Sequence, residues 1–257
     1  EGGRSRASRP LTGGYPQAMR GIELRGSLSV VIPCHNEEGN VEALWAELRP
    51  VLEELGREWE VIFVDDASTD ATLARLRRLE SREEGVRVVT HARNLGESAA
   101  QLSGFAAARG ELVATMDADL QNDPKDLPRL IEALGEAGAV CGVRPRRADT
   151  RLKQFSTWAA NAFRSKLLKD GILDAGCTYR VFRRKALVQL IPFRGLHRFL
   201  PTLLQAHGWE VRQIEVTDRP RRAGVSKYGL RNRVFVGFID TLAILWYQRR
   251  HIPPPPG

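Results

Sequence analysis

Short apolar runs alternate along the chain with segments whose apolar residues recur every three or four positions. Leu28 to Ile32 is an apolar run of strand length, and Val41, Leu44, Trp45, Leu48, Leu52 and Leu55 then follow helical spacing. Val61 to Val64 predicts a second strand. Leu73, Leu76 and Leu79 predict a helix opened by Asp70 as N-cap. Val86 to Val89 reads as a third strand, and Ser98 to Arg109 as an Ala-rich helix ended by Gly110. Leu112 to Met116 is a fourth strand, followed by a helix over Leu127 to Leu134. This alternation predicts a mainly parallel sheet covered by helices. No internal repeat is visible.

The later half is less regular. Thr150 to Lys169 reads as one long helix, Thr178 to Phe182 as a short strand, Leu196 to His207 as a helix and Val211 to Val216 as a strand. Tyr228 to Arg250 predicts a final amphipathic helix. Residues 1–26 are rich in Gly, Arg, Ser and Pro without periodicity and predict a disordered tail; Pro253 to Pro256 is another. The expected organisation is one α/β domain over residues 27–230, with a C-terminal amphipathic helix and tail over 231–257.

Three of the apolar runs end in polar clusters. The first leads into Pro33-Cys34-His35-Asn36-Glu37-Glu38, the second into Asp65-Asp66-Ala67-Ser68-Thr69-Asp70, and the fourth into Asp117-Ala118-Asp119. In open α/β sheets ligands bind outside the carboxyl ends of strands, so the three clusters converge on one crevice. Each cluster alone is equally well a turn with capping residues. Two carboxylates at i and i+2 beside a buried strand end call for a positive partner. A hard divalent cation, Mg²⁺ or Mn²⁺, takes oxygen ligands and is commonly shared with substrate phosphates. Gln121 can add a neutral oxygen. Asp65 and Asp66 can accept hydrogen bonds from a base or ribose, or supply negative charge to the next helix N-terminus. The backbone donors of Arg93-Asn94-Leu95-Gly96, with the Arg93 side chain, can meet a phosphate or form a plain capped loop.

Composition changes this picture little, and charge changes it more. At 257 residues the chain is long enough for a full core, and its net charge of +8 suits an anionic partner: nucleic acid, a phosphorylated substrate or an acidic membrane surface. Cys34, Cys141 and Cys177 are scattered and form no CxxC or zinc spacing, which points to a reducing compartment. No signal-peptide core is visible near the start. The longest apolar candidate for a membrane span, Val234 to Tyr247, falls short of the roughly 18 to 20 residues required and contains Asp240.

The motifs, in order, are V-V-I-P-C-H-N-E-E, V-D-D-A-S-T-D, R-N-L-G, D-A-D-L-Q-N-D-P, then D-A-G-C-T-Y-R at 174–180 and R-R-A-G-V-S-K-Y-G at 221–229. Together they resemble the inverting glycosyltransferases of the glycosyltransferase-A (Rossmann-like) fold, and within them the polyprenyl-phosphate glycosyltransferases that use dolichyl or undecaprenyl phosphate. The resemblance covers roughly residues 27–250. It implies that Pro33, Asn36, Glu37 and Asp65 hold the nucleoside, with Asp66, Arg93, Gly96 and Ala118 along the same donor site. It implies that Asp117, Asp119 and Gln121 surround Mg²⁺ or Mn²⁺, Asp119 most directly. Arg144 would bind the acceptor phosphate, with Lys153 and Thr157 where relatives often carry Arg and Ser. Asp174 and Arg180 would line the reaction centre beside Asp119. Arg221, Ser226 and Lys227 would close over the donor phosphates. His35 stands where an aromatic Tyr is usual.

A lipid acceptor requires contact with a membrane. The 150–169 segment sets Arg151, Lys153, Arg164, Lys166 and Lys169 beside Leu152, Phe155, Trp158, Phe163, Leu167 and Leu168. The last helix sets Arg249 and Arg250 after Val234, Phe235, Phe238, Ile239, Leu242, Leu245, Trp246 and Tyr247. Basic residues beside Trp, Phe and Leu suit helices lying in a membrane interface. The expected function is inverting transfer of a sugar from a UDP-sugar or GDP-mannose to a polyprenyl phosphate. It would occur in the cytoplasm at the membrane face, as a step of cell-envelope glycosylation, with no nucleic-acid partner. One alternative keeps the fold and transfers the sugar to a saccharide or protein hydroxyl. Another is a non-catalytic nucleotide or nucleic-acid binding module.

Overall fold

The computed structural model describes residues 26–145, 164–188, 190–220 and 230–252, with only the backbone for 230–235. The tail over 1–25, most of the 150–169 helix, Lys153, Thr157, Arg221, Ser226, Lys227 and the Pro253–Pro256 run lie outside the described residues. The strands are β1 (Leu28–Cys34), β2 (Trp59–Asp65), β3 (Val86–Thr90), β4 (Leu112–Thr115), β5 (Ala139–Val143), β6 (Arg180–Arg183) and β7 (Val211–Glu215). The helices are α1 (Val41–Glu54), α2 (Thr72–Arg82), α3 (Glu97–Ala107), α4 (Leu127–Leu134), α5 (Arg184–Leu187), α6 (Leu196–Ala206) and α7 (Leu230–Arg250). Residues 164–168 are also helical.

The strands form one sheet in the order β3-β2-β1-β4-β6-β5-β7. β1, β2, β3 and β4 pair in parallel, as does β5 with β7. β6 runs antiparallel to both β4 and β5. Successive side chains point to opposite faces of a strand, and the core divides accordingly. Leu28, Val30 and Ile32 of β1 pack with Val61 and Phe63 of β2 under α1, α2 and α4. Val31, Ile62, Val64 and Val113 pack under α3 and α6, with Ile244 of α7. α3 approaches β1 so closely that a Cβ on Gly104 would lie 2.2 Å from a Val31 methyl carbon.

Three details depart from expectation. β5 falls in Ala139-Val140-Cys141-Gly142-Val143, which the pattern leaves without an element. α3 stops at Ala107, and Ala108 turns extended, because polar groups catch the chain before Gly110. There Glu60 accepts the Arg109 N–H, and Ser29 Oγ accepts the Gly110 N–H at 2.8 Å. A side chain at Gly110 would strike the backbone N of Ser29. The N-cap position of α2 is Ala71 rather than Asp70, although Asp70 Oδ1 accepts the Thr72 N–H at 2.9 Å and so still serves the helix start.

The described end of the 150–169 segment also corrects one membrane expectation. Arg164 is buried: it donates to Asp170 at 2.5 Å and to the Ile172 carbonyl at 2.6 Å, while Thr202 of α6 donates to the same carboxylate at 2.6 Å. A guanidinium so engaged ties residues 164–168 to α6 and is withdrawn from any headgroup. Leu168 is buried as well.

Candidate functional site

The chain passes from β1 through α1 to β2 and β3 on one side of the sheet, then returns to β4 on the other. β1 and β4 are therefore the neighbours at which the winding reverses, and their carboxyl ends open the crevice where α/β proteins bind ligands. Because β6 runs backwards, its first residue, Arg180, lies on this same rim opposite Thr115.

The loops after β1 and β2 are stitched together. Asn36 Oδ1 accepts the Thr69 N–H at 2.7 Å, and the Asn36 N–H donates to Ser68 Oγ at 3.0 Å. The Glu37 N–H donates to Thr72 Oγ1, and the Glu37 carboxylate accepts from the Asn40 side chain, both at 2.7 Å. His35 Nδ1 donates to the Asp66 carbonyl at 2.9 Å. Asn36 and Ala67 both adopt positive φ, 57° and 55°. Such strain costs non-glycine residues on the order of 1–3 kcal/mol and persists only where surrounding contacts enforce it.

Asp65 ends β2 fully buried. One carboxylate oxygen accepts the Ser68 N–H at 3.3 Å, and the other has no hydrogen-bond partner among the described residues. A buried acceptor without a donor is costly unless a ligand supplies one. Asp66 differs. It accepts from His91 Nδ1 at 2.7 Å, from the Leu95 N–H at 2.8 Å and from the Gly96 N–H at 2.7 Å. Burial opposes its charge, but these three donors outweigh burial and hold the carboxyl below its ordinary range. Since His91 Nδ1 donates here, Nε2 accepts from Ser103 Oγ at 2.9 Å. Two of the loop donors expected to face a phosphate thus face Asp66 instead, because a carboxylate lies within their reach. Asp66 builds the loop, and Arg93 remains exposed at its tip.

The turn after β4 holds Asp117 and Asp119. Asn122 Oδ1 accepts the Asp117 N–H at 2.9 Å, and Asp119 Oδ1 accepts the Gln121 N–H at 3.2 Å. Leu120 adopts φ 63°. Burial and the charge of Asp119 push the Asp117 carboxyl above its ordinary range, against the pull of Arg144 and Arg180. Two neighbouring carboxylates, one opposed by the charge of the other, fit a cation. Among the described residues no group of three His, Cys, Asp or Glu gathers for a metal, and a cation held by this pair would need phosphate and water oxygens to complete its shell. The Gln121 amide nitrogen donates to the Arg219 carbonyl at 3.2 Å.

Arg144, just past β5, and Asp174 form a two-pronged pair. Arg144 Nε donates to Oδ2 at 2.8 Å and a terminal nitrogen donates to Oδ1 at 3.0 Å. Burial of Asp174 is outweighed by the hydrogen bonds and charge of Arg144, and its carboxyl lies below the ordinary range. Arg144 also lines a shallow cleft of about 360 Å³ with Leu173, Ile214 and Glu215. Arg180 is buried and donates to the carbonyls of His197 at 2.5 Å and Ala175 at 2.9 Å. It ties the Asp174 loop to the start of α6. Nearby, Ser98 Oγ and His197 Nδ1 lie 2.8 Å apart.

The three cysteines are buried and free. Burial pushes the Cys141 thiol up to about 11 and the Cys177 thiol to about 12, so neither is a nucleophile at neutral pH. The motifs alone do not single out His91 and Asn122, which hold the loops after β2 and β4. The position of Asn122 directly after the acidic motif is the available signal for one of them.

The reversal point and its acidic rim define a glycosyltransferase-A-type α/β domain. The glycosyl transferase family 2 model matches residues 29–191. Dodecaprenyl-phosphate galacturonate synthase of Rhizobium johnstonii is 36% identical over 233 residues, covering 88% of this chain and 69% of that protein. Undecaprenyl-phosphate 4-deoxy-4-formamido-L-arabinose transferase of Aeromonas hydrophila is 35% identical over 205 residues, covering 79% and 63%. The chain belongs to glycosyltransferase family 2. It spans only about two thirds of these relatives' length. Among solved structures, glucosyl-3-phosphoglycerate synthase of Mycobacterium tuberculosis matches in its complex with Mn²⁺, UDP-glucose and phosphoglyceric acid. The TM-score is 0.63 at 22% identity, covering 86% of this chain and 79% of that one. The same enzyme with Mg²⁺ and UDP matches at TM-score 0.63 and 21% identity, covering 84% and 79%. These structural likenesses bear on the fold.

Proposed function

We propose that this domain transfers a sugar, with inversion, from a UDP-sugar or GDP-mannose to a polyprenyl phosphate. The observation that carries the reading is the Arg144–Asp174 pair. A hydroxyl acceptor needs a general base, and Asp174 is the carboxylate available on the acceptor side. A carboxyl held below its ordinary range by a two-pronged guanidinium is a poor base. A phosphate monoester has its second pKa near about 6 and arrives already ionised. The protein's work is then positioning and charge neutralisation. The names of the curated relatives support a polyprenyl-phosphate acceptor.

The unsatisfied oxygen of Asp65 suits an N–H of the donor base. Pro33, Asn36 and Glu37 form the loop beside it. Asp117 and Asp119, with Gln121 adjacent, would hold Mg²⁺ or Mn²⁺, which when bound supplies Lewis acidity toward the donor diphosphate. Arg93, Arg221, Ser226 and Lys227 complete the proposed donor contacts, and Lys153 and Thr157 the acceptor ones. Arg180 fixes the Asp174 loop. Purified protein given each sugar nucleotide with Mn²⁺ is expected to glycosylate undecaprenyl phosphate and to leave free sugars unmodified. The acid limb of its pH profile should follow the acceptor near about pH 6. Transfer to free sugars at comparable rates would refute the assignment.

The lipid is reached, on this reading, through α7, at the cytoplasmic face of a membrane. Thr241 and Ile244 face the protein, whereas Val236, Phe238, Ile239, Leu242 and Trp246 are 42–64% exposed on the opposite half of the helix. Arg249 and Arg250 follow on the exposed side. No helix among the described residues is long and apolar enough to cross a membrane. Apolar residues facing outward beside arginines suit an interfacial helix. The protein is expected to float with anionic vesicles, and Leu242→Glu with Trp246→Glu to abolish flotation while the fold persists. Equal flotation of the double variant would remove α7 from the contact.

A further inference from the structure

We propose that Arg219 is a positioning residue for the Asp117–Asp119 turn, clamping it in the conformation that presents both carboxylates to a cation. The inference rests on the metal reading above.

The turn needs an external hold, since Leu120 is at φ 63° and two acidic side chains repel within it. Residues 218–219 supply that hold. Asn122 pairs with Asp218 in an isolated antiparallel bridge. The Arg219 N–H donates to the Gln121 carbonyl at 2.9 Å, and the Gln121 side chain donates back to the Arg219 carbonyl at 3.2 Å. The Arg219 guanidinium then spans two carboxylates from different elements, Glu47 of α1 and Asp123 directly after the turn, the latter at 2.5 Å. Burial works against its charge, but hydrogen bonds to Glu47 and Asp123 outweigh this and raise its pKa.

A single exposed ion pair contributes little. Arg219 is a different case. Its side chain is three-quarters covered, its backbone pairs with the turn on both polar groups, and one cation serves two anions. Its removal would leave Glu47 and Asp123 without their shared cation on the flank of Asp117 and Asp119. The turn would lose its tie to α1 and the positive charge that faces Asp123. A lysine preserves the charge but not the fork that reaches both partners.

The test uses the full chain without substrate. Mn²⁺ binding is followed by its paramagnetic resonance signal, and amide hydrogen exchange is measured over the turn. Arg219→Ala is expected to raise the half-saturating Mn²⁺ concentration at least tenfold. It should speed exchange of amides 118–123 by a similar factor, with β1 amides unchanged. Arg219→Lys should recover part of both and provides the reading if the alanine variant is poorly folded. Unchanged affinity and exchange would overturn the proposal, as would a uniform rise in exchange across β1 and α1, which marks a general structural role. Asp119→Ala serves as the control. If it binds Mn²⁺ like the parent, the metal reading fails, while the exchange result still judges the clamp.

Discussion

Asp119→Ala should abolish sugar transfer, lowering turnover by at least a thousandfold while leaving the fold intact. The argument begins with burial. Asp117 and Asp119 sit at a strand end where neither is well solvated, and Asp117 is pushed above its ordinary range by burial and by its neighbour's charge. Removing Asp119 relieves that repulsion and also removes the acceptor of the Gln121 N–H, two opposed effects that should leave the apo protein folded. What it loses is one of the two carboxylates proposed to hold a divalent cation. A thousandfold drop corresponds to about 4 kcal/mol of lost transition-state stabilisation, within the several kcal/mol a metal provides by neutralising a departing diphosphate. Asp119→Asn separates the roles, because it keeps an acceptor for the Gln121 N–H while discarding the charge. If the asparagine variant is as inactive as alanine, the charge is what matters. Near-normal turnover in either would refute the metal assignment.

Arg144→Ala should cut kcat/KM for polyprenyl phosphate about a hundredfold and leave sugar-nucleotide binding within a factor of two. Arg144 does two things. It offers positive charge beside the cleft lined by Leu173 and Ile214, and it holds Asp174 in a two-pronged grip. Its loss removes a cation and bares a partly buried anion at the place proposed for the acceptor phosphate. Truncating one member of a hydrogen-bonded buried pair costs roughly 2–5 kcal/mol, and partial exposure here argues for the lower end. The sign of the pH effect follows from the depressed carboxyl. Asp174 contributes stability at neutral pH that is lost only as pH falls through its folded-state value, below the ordinary carboxylate range. The pair therefore stays intact throughout the range in which an acceptor phosphate ionises. Arg144→Lys should recover part of the loss, lacking the fork. Equal losses toward donor and acceptor would place Arg144 elsewhere in the mechanism.

Much of this architecture is legible in local pattern. β1 through β4 read directly from apolar runs, and α4 was predicted with the bounds observed, because its stripe of Leu127, Leu130, Ile131 and Leu134 is strict. β5 was not legible, since five small residues after Gly135-Glu136-Ala137-Gly138 carry no strand signature until β6 and β7 flank them. The acidic turn stood out, for a pair of carboxylates after an apolar strand is a local contradiction. Long-range polar pairing left no such trace. Nothing near Asp66 announces that Leu95 and Gly96, about thirty residues on, will turn their amides to it. Arg164 looked like a basic residue on an interfacial helix until Asp170 and Thr202 gave it partners. Charge that is surface-like in sequence becomes structural when the fold supplies an anion.

The reversed strand has a kinetic consequence. β3, β2, β1 and β4 all lie within residues 28–115 and can pair as soon as that length has emerged from a ribosome. β5 emerges next, yet its bridge to β4 is β6, which begins 37 residues after Val143 (180 minus 143). At about 5–20 residues per second this wait is roughly 2–7 s. Throughout it β5 is a strand without a neighbour, beside an open β4 edge. The parallel part of the sheet, with the loops that follow β1, β2 and β4, is thus in place first, and β6 must be threaded in backwards afterwards. The β4 edge is the surface on which a nascent-chain chaperone would have most to protect.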